Sequence, residues 1–275
     1  MTPKGRIIII RGNDTDIYKA EYESTSYQLL IKAFTLLSEQ KNVRIEIITI
    51  SNLAANRKEM YSTALEKQGY NNVGFIHIQK KQDTDHYYPR IRDAKSVVFV
   101  DNNLKICEIL KNSVMLELLS KRYQHEESFT IAGINSGAMY LSELIISNTG
   151  DTAAGLGFIK NCIIDTQFIH GARFKSLVKA VLGHQEYVGL ALRSGMLLII
   201  EKGYKASCFG SHSIIAVNAK NIKNVHLTRG TSVYKKNLKG HILTDGSVLN
   251  LISGDPIKNH LPAYSLNFTN RNIIL

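Results

Sequence analysis

Along the first half of the chain, runs of consecutive apolar and β-branched residues alternate with segments whose apolar positions recur every three to four residues. The isoleucines Ile7, Ile8, Ile9 and Ile10 head the first run and predict a buried strand over 6–12. In the segment 22–40, Leu29, Leu30, Ala33, Phe34, Leu36 and Leu37 fall at helical spacing. The same reading predicts a strand over 43–50, a helix over 53–68 and a strand over 73–78. An exposed polar stretch is expected over 79–93, followed by a strand over 96–101, a helix from about 104 to 122, a strand over 128–133 and a helix over 136–146. This is the pattern of parallel strands joined by crossover helices. Beyond Gly155 the texture changes to shorter strands with turns, over 187–192, 196–201, 213–217 and 224–227. That half reads as antiparallel or mixed, so the expectation is an α/β protein whose parallel central sheet is extended by mixed or antiparallel strands. With no Pro-, Gly- or Ser-rich linker and no internal repeat, one domain over 1–275 is expected.

Composition narrows the class without naming a function. The 275 residues are 44% hydrophobic and 21% charged, with 19 Gly and 4 Pro, which excludes disordered, collagenous and disulfide-miniprotein classes. Lys and Arg number 34 against 23 Asp and Glu, and the formal charge of +11 favours anionic partners. The cations are scattered, as at Lys80 and Lys81 or Lys235 and Lys236, and no reader motif accompanies them, so nucleic acid is disfavoured as a partner. Cys107, Cys162 and Cys208 lack metal or redox spacing and read as buried thiols of a reducing compartment. No metal or cofactor is called for. The apolar runs are too short for a signal segment or a membrane span, so the cytoplasm is the expected address and no membrane is expected as a partner.

The most informative stretch is Gly133, Ile134, Asn135, Ser136, Gly137 and Ala138, which joins a predicted strand to a predicted helix with glycines four residues apart. That is the frame of a nucleophile elbow, in which small flanking residues let strand and helix pack closely while the central side chain projects over the strand ends. The central position is Asn135, an amide and a poor nucleophile; asparagine tolerates left-handed backbone geometry. Ser136 lies one residue past the apex. The plain alternative is that Asn135 or Ser136 merely caps the helix. A second stretch, from Gly155, Leu156 and Gly157 through Asp165, Gln167, His170, Arg173 and Lys175, combines acid, amide, imidazole and cations. It reads either as a solvated strand-to-helix junction or as a pocket wall whose Arg173 or Lys175 holds a carboxylate.

These stretches, in this order, resemble the cyanophycinase family of serine peptidases, on a fold like that of class I glutamine amidotransferases. Ile8, Ile9, Ile10, Arg11, Gly12, Asn13 and Asp14 resemble the family's first strand and turn. The segments Gly210 to Ile214 and Leu243 to Leu251 resemble its closing strands. The resemblance implies a three-layer α/β/α fold, a peptide-like ligand, and cleavage of β-linked aspartyl-arginine units by a serine, a histidine and an orienting acid. Carried over residue by residue, the serine falls on Asn135, the histidine on Gln167 and the acid on Ser194. The family's arginine positions retain only Arg173, and its glycine-rich turn becomes Asp101, Asn102, Asn103 and Leu104. The expected ligand-binding residues are therefore Asp165, Arg173, Lys175 and Asn102. Two functions follow. One is a non-catalytic binding protein, forming a homodimer or partnering a related subunit. The other is a serine hydrolase with a relocated site, in which Ser136 attacks and His170 accepts its proton.

Overall fold

The computed structural model describes residues 1–12, 25–100, 103–168, 171–222 and 238–258. In chain order the elements are β1 (Arg6–Arg11), α1 (Thr25–Thr35), β2 (Arg44–Thr49), α2 (Ala55–Glu66), β3 (Val73–His77), α3 (Asp83–His86), α4 (Tyr88–Asp93) and β4 (Ala94–Phe99). They continue with α5 (Lys105–Leu110), α6 (Val114–His125), β5 (Thr130–Ile134), α7 (Ser136–Met139), β6 (Leu144–Ile146), β7 (Thr152–Ala154), β8 (Cys162–Asp165) and α8 (Gly171–Gly183). The last are β9 (Val188–Leu192), β10 (Met196–Glu201), β11 (Lys205–Gly210), β12 (Ile214–Asn218), β13 (Lys239–Leu243) and β14 (Val248–Asn250).

The main sheet runs β14-β11-β10-β1-β5-β4-β2-β3. Its β1, β5, β4, β2 and β3 are parallel, and β10, β11 and β14 extend it antiparallel, as expected. The unbroken isoleucine run is explained by burial on both faces. Ile7 and Ile9 enter one core, and Ile8 and Ile10 enter the other with Leu30, Phe34, Leu37 and Tyr61 of the α1–α2 side.

The later strands divide rather than all joining that sheet. A second sheet, β13-β12-β9-β8, supplies Ile164, Leu190 and Ile214 to the core of Ile7 and Ile9. Its other face, through Ile163, Ala191 and Val217, packs on Leu177 and Val181 of α8. One flank of the α/β/α arrangement thus contains an extra sheet between the main sheet and its outer helix.

Three local expectations are revised. The stretch 79–93 holds the short helices α3 and α4, which bury Thr84 and Ile91. The helix predicted over 104–122 is two helices, because Asn112 takes φ 55° and Ser113 caps α6, its hydroxyl accepting from Leu116 N at 3.1 Å. The helix predicted over 136–146 stops at Met139. Leu156 N donates to Tyr140 O at 2.7 Å, Ile159 N to Leu141 O at 3.0 Å and Gly155 N to Glu143 O at 2.9 Å, so the returning chain takes carbonyls that a longer helix would use. The strand predicted over 224–227 lies outside the described residues. None of the described helices is long and apolar enough to cross a membrane.

Candidate functional site

The parallel order brings the C-terminal ends of β1, β4 and β5 side by side, the edge at which open α/β sheets hold ligands. Between β5 and α7 the chain turns within one residue. Asn135 has φ 52° and ψ −120°, which lies outside the left-handed helical region that asparagine tolerates. The strain is held by a set of hydrogen bonds. Asn135 N donates to Ile10 O at 2.9 Å, and Asn135 O accepts from Thr166 Oγ1 at 2.8 Å and from Ala138 N at 3.0 Å. Its side chain is engaged as well, Oδ1 accepting from Gly12 N at 3.0 Å. Such conformations persist only where the surroundings over-determine them, and they cluster at functional sites.

The two glycines of the turn are required by close approach. A Cβ on Gly133 would lie 2.5 Å from Ala138 Cα, and one on Gly137 would lie 2.2 Å from Phe99 O at the end of β4. The capping alternative does not describe Asn135, whose side chain bonds Gly12 and makes no cap hydrogen bond to the four-residue helix.

Ser136 is 8% exposed, and its Oγ accepts from Gln167 Nε2 at 3.1 Å. Gln167 is positioned by Asp165 at the end of β8, whose Oδ1 accepts from Gln167 N at 2.8 Å. Asp165 is fully buried, and its Oδ2 accepts from Arg173 Nε at 2.7 Å. Burial pushes the Asp165 pKa above the ordinary carboxylate range, against the opposing pull of Arg173, the Gln167 amide and the Arg11 charge. Arg173 also donates to Ser147 O at 2.8 Å and Ile146 O at 3.0 Å. Every guanidinium nitrogen therefore has a protein partner, and the side chain braces the junction of β6, β8 and α8.

Asn135, Ser136, Asp165, Gln167 and Arg173 thus form one connected cluster. Lys175 is exposed on α8. Ser194 is half-buried in the turn between β9 and β10, where its neighbour Gly195 donates to Arg11 O at 2.7 Å. Asn102 and His170 lie outside the described residues, as does Asp101. The sequence reading missed Thr166, which pins the Asn135 carbonyl. It also assigned no role to Arg11, 5% exposed at the end of β1 with its guanidinium on Gly12 O. The position of Arg11 at the C-terminal end of a central parallel strand was the available signal. Among the described residues no cluster of His, Cys, Asp and Glu could hold a metal.

No family model matches the chain. It is 24% identical over 207 residues to a cyanophycinase of Trichormus variabilis, a match covering 70% of this chain and 69% of that one. A Nostoc cyanophycinase is 23% identical with the same coverage. Among solved structures, a peptidase from an acI-B1 Actinobacterium superposes with a TM-score of 0.61 and 17% identity, covering 90% of this chain and 98% of the other, a likeness of fold. Over 70% of its length the chain is thus similar, at a distance, to cyanophycinases, on a fold that a peptidase shares.

Proposed function

We propose that this chain is a non-catalytic relative of these peptidases that binds a peptide-like ligand at the C-terminal ends of β1, β4 and β5. The observation that carries the reading is Asn135 at the apex of an elbow-like turn, its carboxamide oxygen held on Gly12 N at 3.0 Å. A carboxamide there offers no hydroxyl or thiol for acyl transfer. The neighbouring hydroxyl of Ser136 faces the amide nitrogen of Gln167, which donates a proton and cannot accept one. The strained bend, the close-packed glycines and the polar cluster remain, and these are the parts from which a binding cleft is made.

Lys175, exposed on α8, would supply a cation to an anionic ligand, whereas Arg173 fixes the wall. Asp165 acts through Gln167 and Arg173 rather than by contact with ligand. The alternative of a hydrolase using Ser136 is favoured only by the position of Ser136 beside the apex. Calorimetry with β-aspartyl-arginine, paired with mass spectrometry of the mixture, separates the two. Binding without release of aspartate and arginine is expected. Release that Ser136→Ala abolishes would establish the hydrolase instead.

A further inference from the structure

We propose that the turn between β9 and β10 and the turn after β11 form a second, anion-holding subsite built from Arg193, Ser211 and His212, and that it takes the carboxylate of a short acidic peptide. The inference deepens the reading of the Asn135 cleft as a peptide site. It rests on four observations.

The two turns are locked together and to the cleft. Gly195 N donates to Arg11 O at 2.7 Å, Ser211 N donates to Gly195 O at 3.3 Å, and Arg193 N donates to Ser213 O at 3.4 Å. Gly210, at φ 134°, approaches so closely that a Cβ there would lie 2.1 Å from Gly195 O. The side chains are therefore displayed from a rigid base.

The His212 ring is oriented. Its Nδ1 is 3.1 Å from Ser211 Oγ, and the ring packs over Gly195, where a Cβ would lie 2.9 Å from Nδ1. When the Ser211 hydroxyl donates to Nδ1, the remaining ring proton sits on Nε2, and protonation of the ring leaves it there. In that arrangement Nε2 is the ring's donor.

The two donor groups are not engaged by the described residues. Arg193 and His212 are exposed, and neither the guanidinium nor Nε2 has a partner among the described residues. The nearby carboxylate, Asp245, accepts from Gly210 N at 3.0 Å and faces the Lys32 ammonium. Asp165 is bound by Arg173. Arg193 and His212 stand on adjoining turns joined by the Arg193 N to Ser213 O bond, and a guanidinium fork and an imidazole N–H are each suited to a carboxylate.

The spacing sets the ligand length. From β5 through β1 to β10 and β11 is two to three strand spacings, roughly 10–14 Å, the span of about three or four extended residues. A dipeptide at Asn135 falls short of the second subsite, and a tetrapeptide reaches it.

The test is calorimetry of tetra-aspartate and of β-aspartyl-arginine with the parent, the double variant R193Q/H212Q, and the control K81Q, which removes one formal positive charge as the double variant does. R193Q/H212Q should weaken tetra-aspartate binding by roughly tenfold or more and leave the dipeptide unchanged, while the control leaves both unchanged. Equal affinity of parent and R193Q/H212Q for tetra-aspartate overturns the subsite. So does equal weakening in the control, which marks diffuse attraction to a basic surface, and so does a parent that does not bind tetra-aspartate. Tetra-aspartate binding that depends on Arg193 and His212, without any dipeptide binding, would sustain the subsite and remove the Asn135 cleft reading.

Discussion

The hydroxyl of Ser136 accepts a hydrogen bond from the side-chain amide of Gln167 at 3.1 Å, at the place where a hydrolase needs a base. A primary amide has no useful basicity, so the contact orients the hydroxyl without activating it. Restoring both groups should restore reactivity. The double substitution of Asn135→Ser with Gln167→His is expected to be labelled by a serine-reactive phosphonate at position 135. Either single variant should be labelled on the order of 10²-fold more slowly. Equal labelling of Gln167→His alone, at Ser136, would show that the apex is not the reactive position.

The Asn135 backbone conformation predicts an order of stabilities. Asn135→Ala loses the bond to Gly12 N and keeps the strained φ of 52°, and should cost about 2–3 kcal/mol in urea unfolding. Asn135→Gly loses the same bond and relieves the strain, so it should be more stable than the alanine variant by roughly 1 kcal/mol. The reverse order would mean that the turn is not strained.

Gly137 should tolerate no side chain. A Cβ there would meet Phe99 O at 2.2 Å, backbone that cannot move without disturbing β4. Gly137→Ala is expected to lower stability by roughly 3 kcal/mol or more, read as a shift of the urea midpoint.

Arg173→Ala would leave the fully buried Asp165 without its ion-pair partner, at a cost of about 3–5 kcal/mol. The Asp165 pKa is raised by burial, so folding favours its protonated form. Its contribution to stability is therefore fully present below the ordinary carboxylate range and is lost as pH rises through its elevated folded-state value. Subtracting the urea profile of Asp165→Asn from that of the parent should give a difference that declines with rising pH across that window. A difference that grows instead would mean that Arg173 overcomes the desolvation.

Much of this arrangement was legible in the sequence because the signals were local. The isoleucine run marks β1 because burial on both faces demands it, and glycines at 133 and 137 mark the bend because helix and strand touch there. The length of α7 was not legible, since the segment 155–159 that captures the carbonyls of Tyr140, Leu141 and Glu143 is distant in the chain. The second sheet escaped notice for a related reason: an apolar strand such as β9 reads the same whether helices or another sheet cover it. The role of Arg173 depends on Asp165, Ile146 and Ser147, and a free cation and a bracing one look alike in a sequence.

The most direct measurement is intact-mass analysis of the folded parent protein after exposure to a serine-reactive phosphonate. The apex amide of Asn135 and a Ser136 hydroxyl held by the Gln167 amide predict an unchanged mass. An adduct mapped to Ser136, blocked by prior addition of β-aspartyl-arginine, would contradict the account.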